Sequence, residues 1–286
     1  MSNQVGPAVA RERLGTQLRQ LRESLGLSAD AAAQEMYWSL AKLNRVETGA
    51  VAISPADVRA LLEHYGAGDE EKLVRLAETA RGRRWWRRHR LTREYQRFVG
   101  YEAESSRISI YQGLFVPGLL QTEEYARAST AKIIRQSIAD DDVTARVEVR
   151  LNRQRDLFER MSGANPPELI AALDEAVLRR PIGGGAVLRR QLDHLLELAG
   201  HSSIELIVVP LALEGHPGLG GTFELLEFAG SGDPDIVFVE SAAQDFVEND
   251  RKVTRSYREN MKVLREVGLT GDQATAAISA LRPEQS

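Results

Sequence analysis

Three polar side chains within one eight-residue segment carry the most specific chemistry in the chain. In Leu40–Glu47, LAKLNRVE, the residues Lys42, Asn44 and Arg45 alternate with an apolar series of Leu40, Leu43 and Val46. Lys and Arg donate to guanine or to phosphate oxygens, and Asn pairs with the edge of adenine, so a helix presenting all three suits the major groove of DNA. Ser39 stands directly before this segment and Ser28 before another helical stretch. A hydroxyl at a helix start, with unpaired backbone N–H groups behind it, suits a phosphate. The candidate DNA-contacting residues are therefore Ser28, Ser39, Ala41, Lys42, Asn44 and Arg45; which of them meets a base and which a phosphate stays open.

Catalysis and metal binding find no comparable grouping. His64, His89, His194, His201 and His216 are scattered without ligand spacing, and the chain has no Cys, so no metal, disulfide or cofactor is expected. Gly183-Gly184-Gly185 and Gly218-Leu219-Gly220-Gly221 lack the Lys-Ser/Thr ending of a phosphate-binding loop and are expected to be flexible loops. No Gly-x-Ser-x-Gly elbow occurs, and Asp174-Glu175 reads as a pair of solvated charges. An enzyme is not expected.

The elements that would position the polar trio follow from periodicity and caps. Leu14, Leu18, Leu21 and Leu25 form one stripe of a helix at about 11–25, which Gly26 ends before Leu27 turns inward. Ser28 caps a short helix reaching about Met36; Ser39 caps the next, which packs through Leu40, Leu43 and Val46 and stops at Gly49. Ser54-Pro55-Ala56-Asp57 opens a fourth helix ending near Tyr65 and Gly66.

This order resembles the phage-repressor, or XRE, class of helix-turn-helix domains over about residues 13–65. Leu18, Arg22, Gly26-Leu27-Ser28, Ala32, Ser39, Leu43, Arg45-Val46-Glu47 and Gly49 carry the likeness. The resemblance implies that Arg22 and Glu47 form a structural ion pair between the first and third helices, and that the third helix reads DNA. Three positions depart from the pattern. Ala29 stands where many relatives place a DNA-facing Gln, Tyr37 occupies a turn position that is commonly Gly and needs φ > 0, and Leu40-Ala41 make the start of the reading helix apolar.

Residues 67–90 read as a helical, basic connector. Its second half holds Arg83, Arg84, Arg87 and Arg88 around Trp85-Trp86; these arginines are possible phosphate contacts, while the Trp pair is expected to pack. The first hundred residues carry 17 Lys and Arg against 12 Asp and Glu, and the remainder 20 against 29. A basic front thus precedes an acidic back.

Residues 91–282 alternate strands and helices irregularly. Strands are expected at 108–111, 168–173, 204–210, 222–228 and 235–240, with helices at 123–129, 140–162, 186–199, 249–267 and 271–281. The fold class is therefore multidomain: an all-α, lambda-repressor-like helix-turn-helix domain over 10–66, then a mixed α/β regulatory or interaction domain over 91–282.

Over 85–282 the sequence resembles the C-terminal domain of an actinobacterial group of XRE-class regulators, the WhiJ-like or antitoxin-like proteins. Trp85-Trp86, Tyr101-Glu102-Ala103-Glu104, the run Val116–Arg127 (VPGLLQTEEYAR), Arg150 with Gln154, His216-Pro217-Gly218, Phe223 and Val239-Glu240 carry it. The resemblance implies transcriptional control and a small companion protein bound by this domain. Two other roles stay open for it: a small-molecule sensor, its pocket closed by the Gly-rich loops or the His216-Pro217-Gly218 turn, and an antitoxin-like interaction module with weak DNA binding. A homodimer on an imperfect palindrome of double-stranded DNA is the expected working form. With no apolar run near the ~20 residues of a membrane span and no secretory leader at the start, the expected location is the cytoplasm, with no membrane partner.

Overall fold

The computed structural model describes residues 6–67, 71–81, 91–134, 137, 140–229, 235–240 and 245–282. They fall into two compact units, one holding the described residues 6–81 and the other 91–282.

The first unit is five helices: α1 (Pro7–Ser24), α2 (Ala29–Glu35), α3 (Leu40–Glu47), α4 (Pro55–Tyr65) and α5 (Glu71–Thr79). Their ends follow local chemistry. Gly26 takes φ 69° after α1, Ser28 Oγ accepts from Ala31 N and Ser39 Oγ from Lys42 N, and Ser54 and Asp57 satisfy each other's backbone N–H at the start of α4. Leu14, Leu18, Ala32, Leu43, Val46, Leu61 and Leu62 fill a single core.

Four expectations change here. Helix α1 starts at Pro7, which is tolerated in a first turn because that N–H has no helical partner. Leu25 is exposed, lying just past the last turn, so the stripe ends at Leu21. Leu40 is exposed as well: a three-residue step falls about 60° short of a full helical turn, so a series spaced by threes drifts off the inner face at its outer end. The reach 71–79, assigned to the connector, is a helix whose Leu73, Val74 and Ala77 belong to the same core as α1 to α4.

The second unit contains α6 (Arg93–Glu102), β1 (Arg107–Gln112), α7 (Glu123–Ile134), α8 (Asp141–Met161), β2 (Glu168–Asp174), α9 (Glu175–Arg179), α10 (Gly185–Ala199), β3 (Ile204–Val209), β4 (Phe223–Glu227), β5 (Ile236–Val239), β6 (Phe246–Glu248), α11 (Arg251–Val267) and α12 (Gly271–Ala280). Its mixed sheet runs β3-β2-β1-β4-β5-β6. The first three strands are parallel, with Ile110 opposite Ala171 and Ala171 opposite Leu206; β1–β4, β4–β5 and β5–β6 are antiparallel. Parallel neighbours need long crossovers, which α7–α8 and α9–α10 supply. Ile108, Ile110, Leu169, Ala171 and Ala172 are fully buried, as expected of strands covered on both faces.

The Val116–Arg127 run folds onto α8. Gln121 Nε2 donates to Val116 O, Arg150 Nη1 to Gln121 Oε1, and Gln154 Nε2 to the carbonyls of Gly118 and Gln121. Gln191 of α10 donates to Leu120 O and accepts from Thr122 N. These side chains satisfy the backbone of residues 116–122, the buried stretch ahead of α7, whose carbonyls have no α-helix or strand ladder to pair with.

Candidate nucleic-acid interface

Helix α3 turns two different faces in two directions. Leu43, Val46 and Glu47 are buried against the domain, whereas Leu40, Ala41, Asn44 and Arg45 are exposed and Lys42 is half-buried at the flank. No carboxylate among the described residues pairs with Lys42 or Arg45, and the Lys42 ammonium lies 3.7 Å from the ring centre of Trp38. A cation parked on an aromatic face is held in place while its outward donors stay available. Ser28 and Ser39 are exposed, with their oxygens engaged as caps and their hydroxyl protons free to donate.

The turn between α2 and α3 contains the one non-glycine residue with positive φ among the described residues, Tyr37 at 52°. Its side chain is 98% exposed. A left-handed backbone costs an L-residue about 1–2 kcal/mol, and neither burial nor packing of the Tyr37 ring offsets it here. The stacking of Lys42 on Trp38 and the outward Leu40 escape the periodicity of the sequence because both depend on where the turn aims the chain.

Behind the exposed face, Arg22 and Glu47 lock α3 to α1. Arg22 Nε and Nη2 donate to the two Glu47 oxygens at 2.6 and 2.9 Å, and Nη1 donates to Leu27 O at 2.7 Å. The carboxylate raises the guanidinium pKa further, chiefly through the hydrogen bond. Gly15 completes the lock by absence: a Cβ there would lie 2.4 Å from Val46 O and 2.7 Å from Glu47 O. Gly15→Ala is accordingly expected to push α3 off α1, lowering the domain's unfolding midpoint together with its DNA affinity. A variant of unchanged midpoint and affinity would show that the helices part freely.

Arg83, Arg84, Arg87 and Arg88, with Trp85-Trp86, lie outside the described residues. No helix among those described is long and apolar enough to cross a membrane.

The family described as a helix-turn-helix domain matches residues 13–76, a span that reaches into α5. A second family, described as a domain of unknown function (DUF5753), matches residues 95–280, well over half of the chain. The chain belongs to the DUF5753 family. No curated protein and no solved structure matches it. The DNA-binding class of the N-terminal unit thus rests on a family match as well as on geometry, and the chain is a helix-turn-helix regulator with a DUF5753 domain behind it.

The DUF5753 domain buries two polar groupings that sequence reasoning left unassigned. In the first, Arg153 of α8 donates to Glu102 of α6 through Nε and Nη2, and to Tyr95 Oη at 2.7 Å. Glu224 of β4 stays 3.7 Å away from that guanidinium; its Oε2 is buried without a hydrogen bond, and burial pushes its carboxyl up to about 8. In the second, Asp174 caps α9 by accepting from Ala176 N and lies 3.4 Å from the Tyr111 hydroxyl and 3.6 Å from His216 Nε2. Asp174 is therefore a mostly buried, shared acceptor and not a solvated charge; Glu175 likewise accepts from Leu211 N. Gly183 and Gly184 form the positive-φ turn that starts α10, and residues 217–220 form a 3-10 turn, so both Gly-rich stretches have defined conformations. Among the described residues no cluster of His, Asp and Glu is arranged to hold a metal.

Proposed function

We propose that this protein is a sequence-specific transcriptional regulator that acts by binding and not by catalysis, as a homodimer on an imperfect palindrome. The observation that carries the reading is the exposed outer face of α3, where Asn44 and Arg45 stand beside Ala41 with no partner among the described residues competing for the arginine. Arg45 and Asn44 enter the major groove, Lys42 reaches a phosphate or guanine from the Trp38 ring, and the Ser28 and Ser39 hydroxyls face the backbone. Two copies would set their α3 helices about 34 Å apart, one turn of DNA. The five-helix unit is the DNA-binding domain, the basic reach up to about residue 90 the connector, and the DUF5753 domain the regulatory part.

The likeness to WhiJ-like regulators supports a small companion protein as the partner of that second domain, acting in the cytoplasm by altering the spacing of the two reading heads. The test is fluorescence anisotropy against DNA upstream of the protein's own gene and against a scrambled duplex, over a range of salt. Arg45→Ala is expected to weaken upstream binding by about 1–3 kcal/mol while leaving scrambled binding nearly intact. Lys42→Ala weakens upstream binding as well, and a matching loss on both duplexes would assign Lys42 to phosphate. Equal, weak binding of wild type to both duplexes would sink sequence-specific reading, and a monomer on the operator would sink the dimer.

A further inference from the structure

The DUF5753 domain carries a cleft of about 510 Å³, a volume within the ordinary range of small-molecule sites. It opens between the first half of α11, the turn at 217–221 and the adjoining ends of β4 and β5. Phe223 opens β4 opposite Tyr111, near the carboxyl end of β1. The cleft therefore sits on the antiparallel side of the sheet, where the amino end of β4 meets the carboxyl end of β5, one strand away from the parallel half.

Its walls are chemically divided. Phe223, Val239 and Val253 supply the apolar side, while Lys252, Ser256 and Asn260, spaced by four along α11, supply donors from one flank of the helix. No Asp or Glu lines it among the described residues. Helix α11 carries six Lys and Arg against two Glu, inside a chain half that is acidic as a whole, and the exposed Arg251 and Arg255 lie beside Lys252. Arg258 and Arg265 are held in ion pairs with Glu227, Asp235 and Glu205, so the positive field at the lip comes from Lys252 with Arg251 and Arg255.

The cleft is also formed in advance. Tyr257 packs edge-on to Phe223 with centroids 4.9 Å apart, and Tyr111 stacks on Phe223 at 6.2 Å. The 217–221 turn is pressed onto Tyr111 so closely that a Cβ at Gly218 would sit 2.3 Å from the ring. His216, its side chain 5% exposed, meets the same ring edge-on.

From these features we infer that the cleft is a binding site for a small amphipathic organic anion: a carboxylate-class head on Lys252 with Ser256 and Asn260, and an apolar body against Phe223, Val239 and Val253. This inference does not depend on the DNA-binding reading. It is tested on the full-length protein by isothermal titration calorimetry with decanoate and 1-naphthoate below micelle-forming concentrations, and with decyltrimethylammonium as the same tail bearing the opposite charge. Saturable binding of one of the two anions at one site per chain is expected, with the cation at least tenfold weaker. Lys252→Ala should weaken the anion about tenfold and Ser256→Trp, at an exposed position, should abolish it without moving the melting temperature. Should Ser256→Trp fail to fold, Lys252→Glu serves as the second blocking variant. Absence of saturable binding by both anions, equal affinity for the cation, or undiminished binding in the folded blocking variant would each overturn the site.

Discussion

Glu47→Ala is expected to destabilise the N-terminal domain by about 3–5 kcal/mol, the cost of leaving one member of a buried ion pair without its partner. Both side chains are nearly inaccessible, at 8% for Arg22 and 4% for Glu47. Loss of the carboxylate would strand a guanidinium that retains a single carbonyl, Leu27 O, together with the more distant and half-exposed Glu23 at 3.6 Å. Small domains have about 5–15 kcal/mol in total, so the helical signal in a urea titration should show an early transition. Arg22→Ala should behave alike, since it buries Glu47 alone. The double variant Arg22→Met with Glu47→Leu should recover part of the loss, because removing both charges removes the desolvation cost along with the attraction. An unchanged midpoint for Glu47→Ala would refute the structural role given to the pair. Its bidentate geometry and its place between α1 and α3 make the loss felt at the reading helix.

The second large effect is a dependence of the DUF5753 domain's stability on pH, set by Glu224. Its carboxyl is raised from an ordinary 4.5 to about 8, first by burial, while Arg153 and Arg150 oppose the shift and Glu102 and Glu240 add to it. Because the folded carboxyl holds its proton where the unfolded one has lost it, the folded state binds more protons between these two values. The stability contributed by Glu224 is therefore greatest below about 4.5, falls as pH rises through the window, and levels off above about 8. The slope of about 1.4 kcal/mol per unit sets an upper limit on the order of 2–3 kcal/mol between pH 5 and 7. Glu224→Gln keeps the shape and removes the titration. The difference in melting temperature between wild type and Glu224→Gln should thus move in the variant's favour as pH rises. A difference that stays constant from pH 5 to 8 would show that Glu224 is ionised in the folded protein.

Much of this architecture is legible from local chemistry. Ser28, Ser39 and Ser54 mark helix starts because a hydroxyl can accept the first N–H groups, and those three caps place α2, α3 and α4 where the caps predict. The five longer strands and the four longest helices of the second unit show their period directly. Missed were α6, α9 and β6. Helix α6 begins right after the arginine run and β6 has only three residues, so neither gives a long window of one period. The buried grouping of Arg153, Glu102 and Glu224 was invisible for a different reason. Its members come from α8, α6 and β4, and only the sheet order brings them together. The anion cleft shares that obscurity, because the spacing of Lys252, Ser256 and Asn260 reads as ordinary helix surface until Phe223 and Val239 are set across from it.

The sheet order also fixes how the chain can be made. Strand β1 lies centrally and needs β2 on one side and β4 on the other, and β4 is synthesised only after α7 to α10, β2 and β3 have followed. Its pairings are far apart along the chain, which slows folding through the entropy of closing long loops. The five helices ahead of it make mostly short-range contacts and can fold while the ribosome is still translating. The helix-turn-helix unit is therefore complete before the DUF5753 domain exists, and a prematurely terminated chain would leave the ribosome with a finished α3 and an unsatisfied β1. Such a fragment pairs a finished DNA-binding surface with an unprotected strand edge prone to aggregation, which gives chaperones and proteases a physical basis for clearing it.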